Sequence, residues 1–171
     1  TIFLAPFTQA GGPLKVYAGK PVLWPVRLMP IVYHIDLGNL GPFSHEEASR
    51  LIVSAFTAWQ SVPQTAIQFR QGDYLPVDVT QANAYQYLDG NQRNVNPIVF
   101  DDDGSIVRAL FGKGSENDIL GFSGMTRYSG NEIHAAQAVF NGLAAKNLGL
   151  SAEAVYSTVL HELGHFIGLD H

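Results

Sequence analysis

The chain of 171 residues is 46% hydrophobic and 15% charged, a balance that fits one globular domain with a substantial core and excludes a disordered chain. Its net charge of −5, with ten basic residues scattered singly, argues against a nucleic-acid groove or an anionic membrane surface as partner, and no apolar run approaches the ~18 residues of a membrane span. Cysteine is absent, which removes disulfides, thiolate ligands and a thiol nucleophile, and leaves histidine and carboxylates as candidate metal ligands.

Residues 1–30 are punctuated by Pro6, Gly11-Gly12-Pro13, Pro21, Pro25 and Pro30, and read as an extended lead-in. They lack the charged-then-apolar layout of a signal peptide, and Thr1 is not an initiator methionine, so an upstream segment removed by processing is expected. Residues 31–171 read as one domain. Ile31 to Asp36 is β-branched and aromatic and predicts a strand ended by Gly38-Asn39 and Gly41-Pro42. Ser44 with Glu47 forms a capping box, and Ala48, Leu51, Ile52, Ala55, Phe56 and Trp59 follow at helical spacing. A second strand is expected at Ile67 to Arg70, giving a βαβ unit if the two strands are parallel.

Residues 71–97 show no sustained period and read as loop, with a short strand near Val77 to Val79 as the alternative. Asn96 to Phe100 predicts a third strand, followed by Asp101-Asp102-Asp103-Gly104-Ser105. Asp101 and Asp103 are candidate Ca²⁺ ligands, but the spacing of an EF-hand loop and its closing Glu are missing, so an acidic, solvated turn is the preferred reading. Two further strands are expected, one Gly-interrupted at Ile119 to Met125 and one at Glu132 to Phe140, the latter ended by a turn at Asn141-Gly142. Glycines of the kind seen at Gly121 and Gly124 suit an edge that receives an extended peptide. Histidines 34, 45 and 134 are read as structural or solvated rather than as ligands.

Ser151 caps a last helix whose apolar stripe, Val155, Tyr156, Val159, Leu160 and Leu163, runs into His161-Glu162-Leu163-Gly164-His165. Residues four apart share a helix face, so His161 and His165 direct two imidazoles at one point, and Glu162 reaches a metal-associated water without being a ligand. Gly168 lets the backbone turn out of the helix in a left-handed conformation so that His171 supplies a third imidazole.

The eleven residues from His161 to His171 match H-E-x-x-H-x-x-G-x-x-H, and the chain thereby resembles the metzincin zinc endopeptidases, with Leu163-Gly164 and Gly168-Leu169-Asp170-His171 most similar to the matrixins and their bacterial relatives. The resemblance implies an α+β fold: the upper metzincin (zincin) subdomain, a twisted mixed sheet with two main helices, the second carrying the zinc motif. It implies one catalytic Zn²⁺ on His161, His165 and His171, with Glu162 as general base, and a polypeptide substrate lying extended along the edge strand at Gly121, Phe122, Ser123 and Gly124. Secretion is expected from the resemblance alone. The family's methionine turn lies downstream of the third histidine, and Met29 and Met125 are both upstream, so the lower subdomain is expected to be missing and His171 to lack a turn that holds it. Latency through a pro-segment cysteine is excluded for these residues, and no match to the family's structural zinc cluster is found. A non-catalytic peptide-binding or structural module of the same fold, its zinc site structural or vacant, is the alternative; Glu162 speaks against it, since a purely structural site needs no base.

Overall fold

The computed structural model describes residues 12–90 and 95–171. Around the lead-in prolines the chain makes a small antiparallel hairpin, β1 (Val16–Tyr17) and β2 (Lys20–Pro21), turned by Ala18 and Gly19, both at positive φ. The predicted strand at Ile31 becomes β3 (Ile31–Ile35), whose residues alternate buried and half-buried. Ser44 then caps α1 (His45–Gln60) by a full capping box with Glu47. The chain returns as β4 (Phe69–Gln71), parallel to β3, which completes the βαβ unit.

Residues 72–90 form the expected irregular segment, with one short 3₁₀ turn at Ala84–Gln86 and no strand at Val77 to Val79. Val79 instead turns inward with Leu75, Ala84, Tyr87 and Leu88 to cover one face of the sheet, against Val99, Ile106 and Val139. Covered on both faces, β5 (Pro97–Asp101) is buried at every position. The sheet is completed by β6 (Gly121–Ser129) and β7 (Glu132–Asn141) in the order β4-β3-β5-β7-β6. All pairs are parallel except β6 with β7, so β6 lies antiparallel at one edge with its outer side free of strand partners among the described residues.

The other face of the sheet receives α1 and α5 (Ala152–Phe166). Phe56 of α1, Val155, Val159, Leu163 and Phe166 of α5, and Ile98, Phe100, Ala138 and Phe140 of the sheet form one continuous core. Burying each such Phe or Leu contributes about 1.5–3 kcal/mol. The two helices come close where Gly164 leaves room for the Trp59 ring, which would lie 3.3 Å from an added Cβ. Trp59 Nε1 donates to Leu160 O at 2.9 Å, and Trp24 Nε1 donates to Phe166 O at 3.1 Å, so two indoles brace the helix that carries the motif. The architecture is the expected α+β mixed sheet with two main helices.

Three short helices were not expected. Two of them, α2 (Ser105–Phe111) and α3 (Ser115–Asp118), follow the acidic turn, and α4 (Gly142–Asn147) follows β7 where a turn was expected. Asn141 accepts from Ala144 N as the cap of α4 and donates to Glu116 O and Ile119 O, which ties α3 to the end of β7. Asparagine serves turns and helix caps through the same side-chain chemistry, and elements this short imprint no period on the sequence.

Candidate metal centre

His161 and His165 project from one face of α5, their ring centroids 4.9 Å apart. The helix then ends as a Schellman motif: Gly168 N donates to His165 O at 3.0 Å and Leu169 N to Gly164 O at 2.9 Å, with Gly168 at φ +100°. That reversal brings His171 back over the helix, its ring centroid 5.0 Å from His161 and 4.6 Å from His165. One ligand atom from each of the three rings lies within 4.8 Å of the others, the sole such histidine or carboxylate group of three or more among the described residues.

The loop that carries His171, for which a downstream turn was expected to be missing, is held from the N-terminal side. Gly12 to Leu14 run antiparallel beside it: Leu14 N donates to Gly168 O at 2.7 Å, Asp170 N donates to Gly12 O at 2.8 Å, and Pro13 bridges Leu169. Histidine orientation is fixed as well. His165 Nδ1 lies 2.8 Å from Leu169 O, a group that only accepts, so Nδ1 is the donor there and Nε2 is the ring nitrogen left to face a metal. Three imidazoles converging in this way form a donor set that would suit zinc.

Glu162 is half-buried and lies under the start of β6, where a Cβ added to Gly121 would stand 3.4 Å from Glu162 Cγ. Burial pushes its carboxyl above the ordinary range, while charge on His165, His161 and His171 pulls the other way. Two open clefts flank the histidines. One of about 420 Å³ runs from Trp59 past all three rings to Asp170, and the other of about 430 Å³ lies between Asp118 to Gly121 on one side and Ser157 to Glu162 on the other.

Compared with known protein families, the chain matches the matrixin model over residues 24–171. The chain belongs to the matrixin family. Matrixins are zinc-dependent endopeptidases and are generally extracellular, and the three-histidine cluster is one that could hold the metal they use. A comparison with curated protein sequences finds no match. No helix among the described residues is long and apolar enough to cross a membrane.

The remaining candidate residues of this matrixin fall in two places. Gly121, Phe122, Ser123 and Gly124 all lie in the edge strand β6, with Gly121 against Glu162. Phe122 packs on Phe111 with ring centroids 5.1 Å apart and so faces away from α5, and Ser123 Oγ donates to Gln137 O. Asp101 and Asp103 lie elsewhere and cap α2. The buried Asp101 carboxylate accepts from Ile106 N and Val107 N, and Asp103 accepts from Ser105 N. Among the other histidines, His34 Nδ1 meets Asp73 O, His45 Nε2 meets Asp36 O, and His134 lies 3.9 Å from Glu132 Oε2, all apart from the cluster.

Sequence reasoning missed the Leu169 carbonyl and the Gly12–Leu14 pairing. The first is a backbone group with no sequence signal beyond the glycine before it. The second joins segments more than 150 positions apart in the chain, and long-range pairing of irregular segments has no local signature.

Proposed function

We propose that this chain carries the catalytic zinc centre of an endopeptidase, with His161, His165 and His171 as the metal ligands and Glu162 as the general base. The observation that supports this most is the convergence of three imidazoles beside a carboxylate that is not among them, a non-ligand base that a structural zinc site would not need. Held by these three histidines, a zinc ion would supply Lewis-acid chemistry, lowering the pKa of a bound water from ~16 toward ~7 and polarising the scissile carbonyl.

The chain's own residues do the rest. His165, locked by Leu169 O, keeps Nε2 aimed at the metal without needing to change tautomer. Glu162 takes the proton from the attacking water and returns it to the leaving amine. The substrate lies extended along the free edge of β6, where Gly121 to Gly124 offer main-chain groups for strand-like pairing and Gly121 lets the strand approach Glu162. Secretion accords with the extracellular habit of the family.

The test is cleavage of an unfolded protein substrate by the purified chain. Activity that disappears on chelation and returns with added Zn²⁺ is the expected result. A chain that binds zinc stoichiometrically but cleaves none of a mixed peptide library would instead favour the peptide-binding module.

A further inference from the structure

Gly12 to Leu14 pair directly with Gly168 to Asp170, the three residues that precede His171. The contact reaches in two directions. Leu14 N holds Gly168 O, and the Leu14 side chain extends to within 3.8 Å of where a Cβ on Gly124 would stand, in the edge strand β6. Lys15, the next residue, places its ammonium 4.1 Å from the centre of the Tyr128 ring, also in β6, and its carbonyl accepts from Val22 N. The segment is therefore anchored to the sheet edge on one side and to the third-histidine loop on the other. Without it, the amide of Asp170 and the carbonyl of Gly168 lose their partners, and the loop keeps its links to α5 alone, the Schellman bonds and the contact of Leu169 O with His165 Nδ1.

We propose that the segment Gly12–Leu14 is a positioning element of the metal centre: it sets the backbone from which His171 reaches the metal, so that the N-terminal part of the chain determines how tightly zinc is held. The proposal rests on the three-histidine zinc reading above. Outer partners that orient metal ligands change affinity by about 10–100-fold when lost, and a backbone clamp on a ligand's own loop belongs to that class. The consequence is that trimming the chain past Leu14 converts a three-histidine site toward a two-histidine one without touching a ligand.

The experiment measures zinc affinity by competition with a chromophoric chelator, in the full chain, in a deletion of residues 1–14, and in Leu14→Pro, which removes the N–H that Gly168 O accepts. Each change is repeated in a His171→Ala background. Expected is an affinity at least about 10-fold weaker in the deletion and in Leu14→Pro, with no further loss when His171 is already gone, because the segment acts through that ligand. In the metal-free proteins the Asp170 amide exchanges faster once the segment is removed. Wild-type affinity in both variants overturns the inference, as does an equal loss in the His171→Ala background, which would mark a general loosening of the fold. A full chain that holds no zinc at all would instead overturn the metal-centre reading itself.

Discussion

Leu169 O accepts from His165 Nδ1 at 2.8 Å, so the turn that leaves α5 fixes the tautomer of a histidine one helical turn before it. The same turn carries the chain to His171, and the two functions are joined through one peptide unit. His165→Ala is expected to remove both the Nε2 donor and the partner of that carbonyl. Zinc affinity should then fall by more than the ~10–100-fold that loss of an outer partner costs. Metal content after gel filtration at limiting zinc checks this, and a variant that still carries one zinc per chain would remove His165 from the ligand set.

Glu162→Gln keeps the shape of the side chain and deletes its ability to accept a proton. Because Glu162 is expected to serve the water and not the metal, zinc binding should be retained while peptide hydrolysis falls by about 10²–10⁴-fold. Measuring both on one preparation separates the roles. Loss of zinc together with activity would place Glu162 among the ligands, and near-normal turnover would end its assignment as base.

The long elements were legible because burial imprints a period on them. Ala48, Ile52, Ala55 and Phe56 mark the buried stripe of α1 as plainly in the sequence as in the core, and His161 and His165 are one helical turn apart in either description. What was not legible is where polar groups find their partners. An aspartate before a glycine can gather a cation or cap a helix, and only the positions of Ile106 N and Val107 N show that Asp101 does the second. Asn141 posed the same ambiguity between turn and cap. The backing of the His171 loop by Gly12–Leu14 depends on main-chain groups, which every residue carries and no sequence distinguishes.

Gly168 has φ +100°, and a Cβ placed there would come within 3.0 Å of Ile133 Cδ1 and 3.4 Å of Val22 O. Gly168→Ala therefore combines an unfavourable backbone conformation with a contact in the core beneath the metal loop. A loss of about 1–3 kcal/mol in urea unfolding is expected. Zinc affinity should fall in parallel, since relief of the strain moves Leu169 O away from His165. An unchanged unfolding midpoint would mean that the loop accommodates alanine, and that the glycine is not what the Schellman turn requires.

Asp36 sits just past β3, fully buried, with Oδ1 accepting from Gly38 N and Oδ2 from Phe100 N, both at 2.9 Å. Burial pushes its carboxyl up to about 7, the amides of Phe100 and Gly38 pull it down, and the charge of nearby Asp78 pushes it further up. The sign follows from linkage. Between the unfolded value near ~4 and the folded value, the native state holds a proton that the unfolded chain has released, so raising the pH favours unfolding. The stabilisation attributable to Asp36 is thus complete below about pH 4 and lost as the pH rises through about 7, a difference on the order of a few kcal/mol. Asp36→Asn, which cannot ionise, should lack this component, so the stability difference between wild type and variant should shift in the variant's favour from pH 4 to pH 8. Urea titrations of both proteins in chelator, which removes any contribution from metal binding, measure it directly. Parallel curves across that range would show that the folded protein keeps Asp36 ionised, with its two backbone amides outweighing the cost of burying the charge.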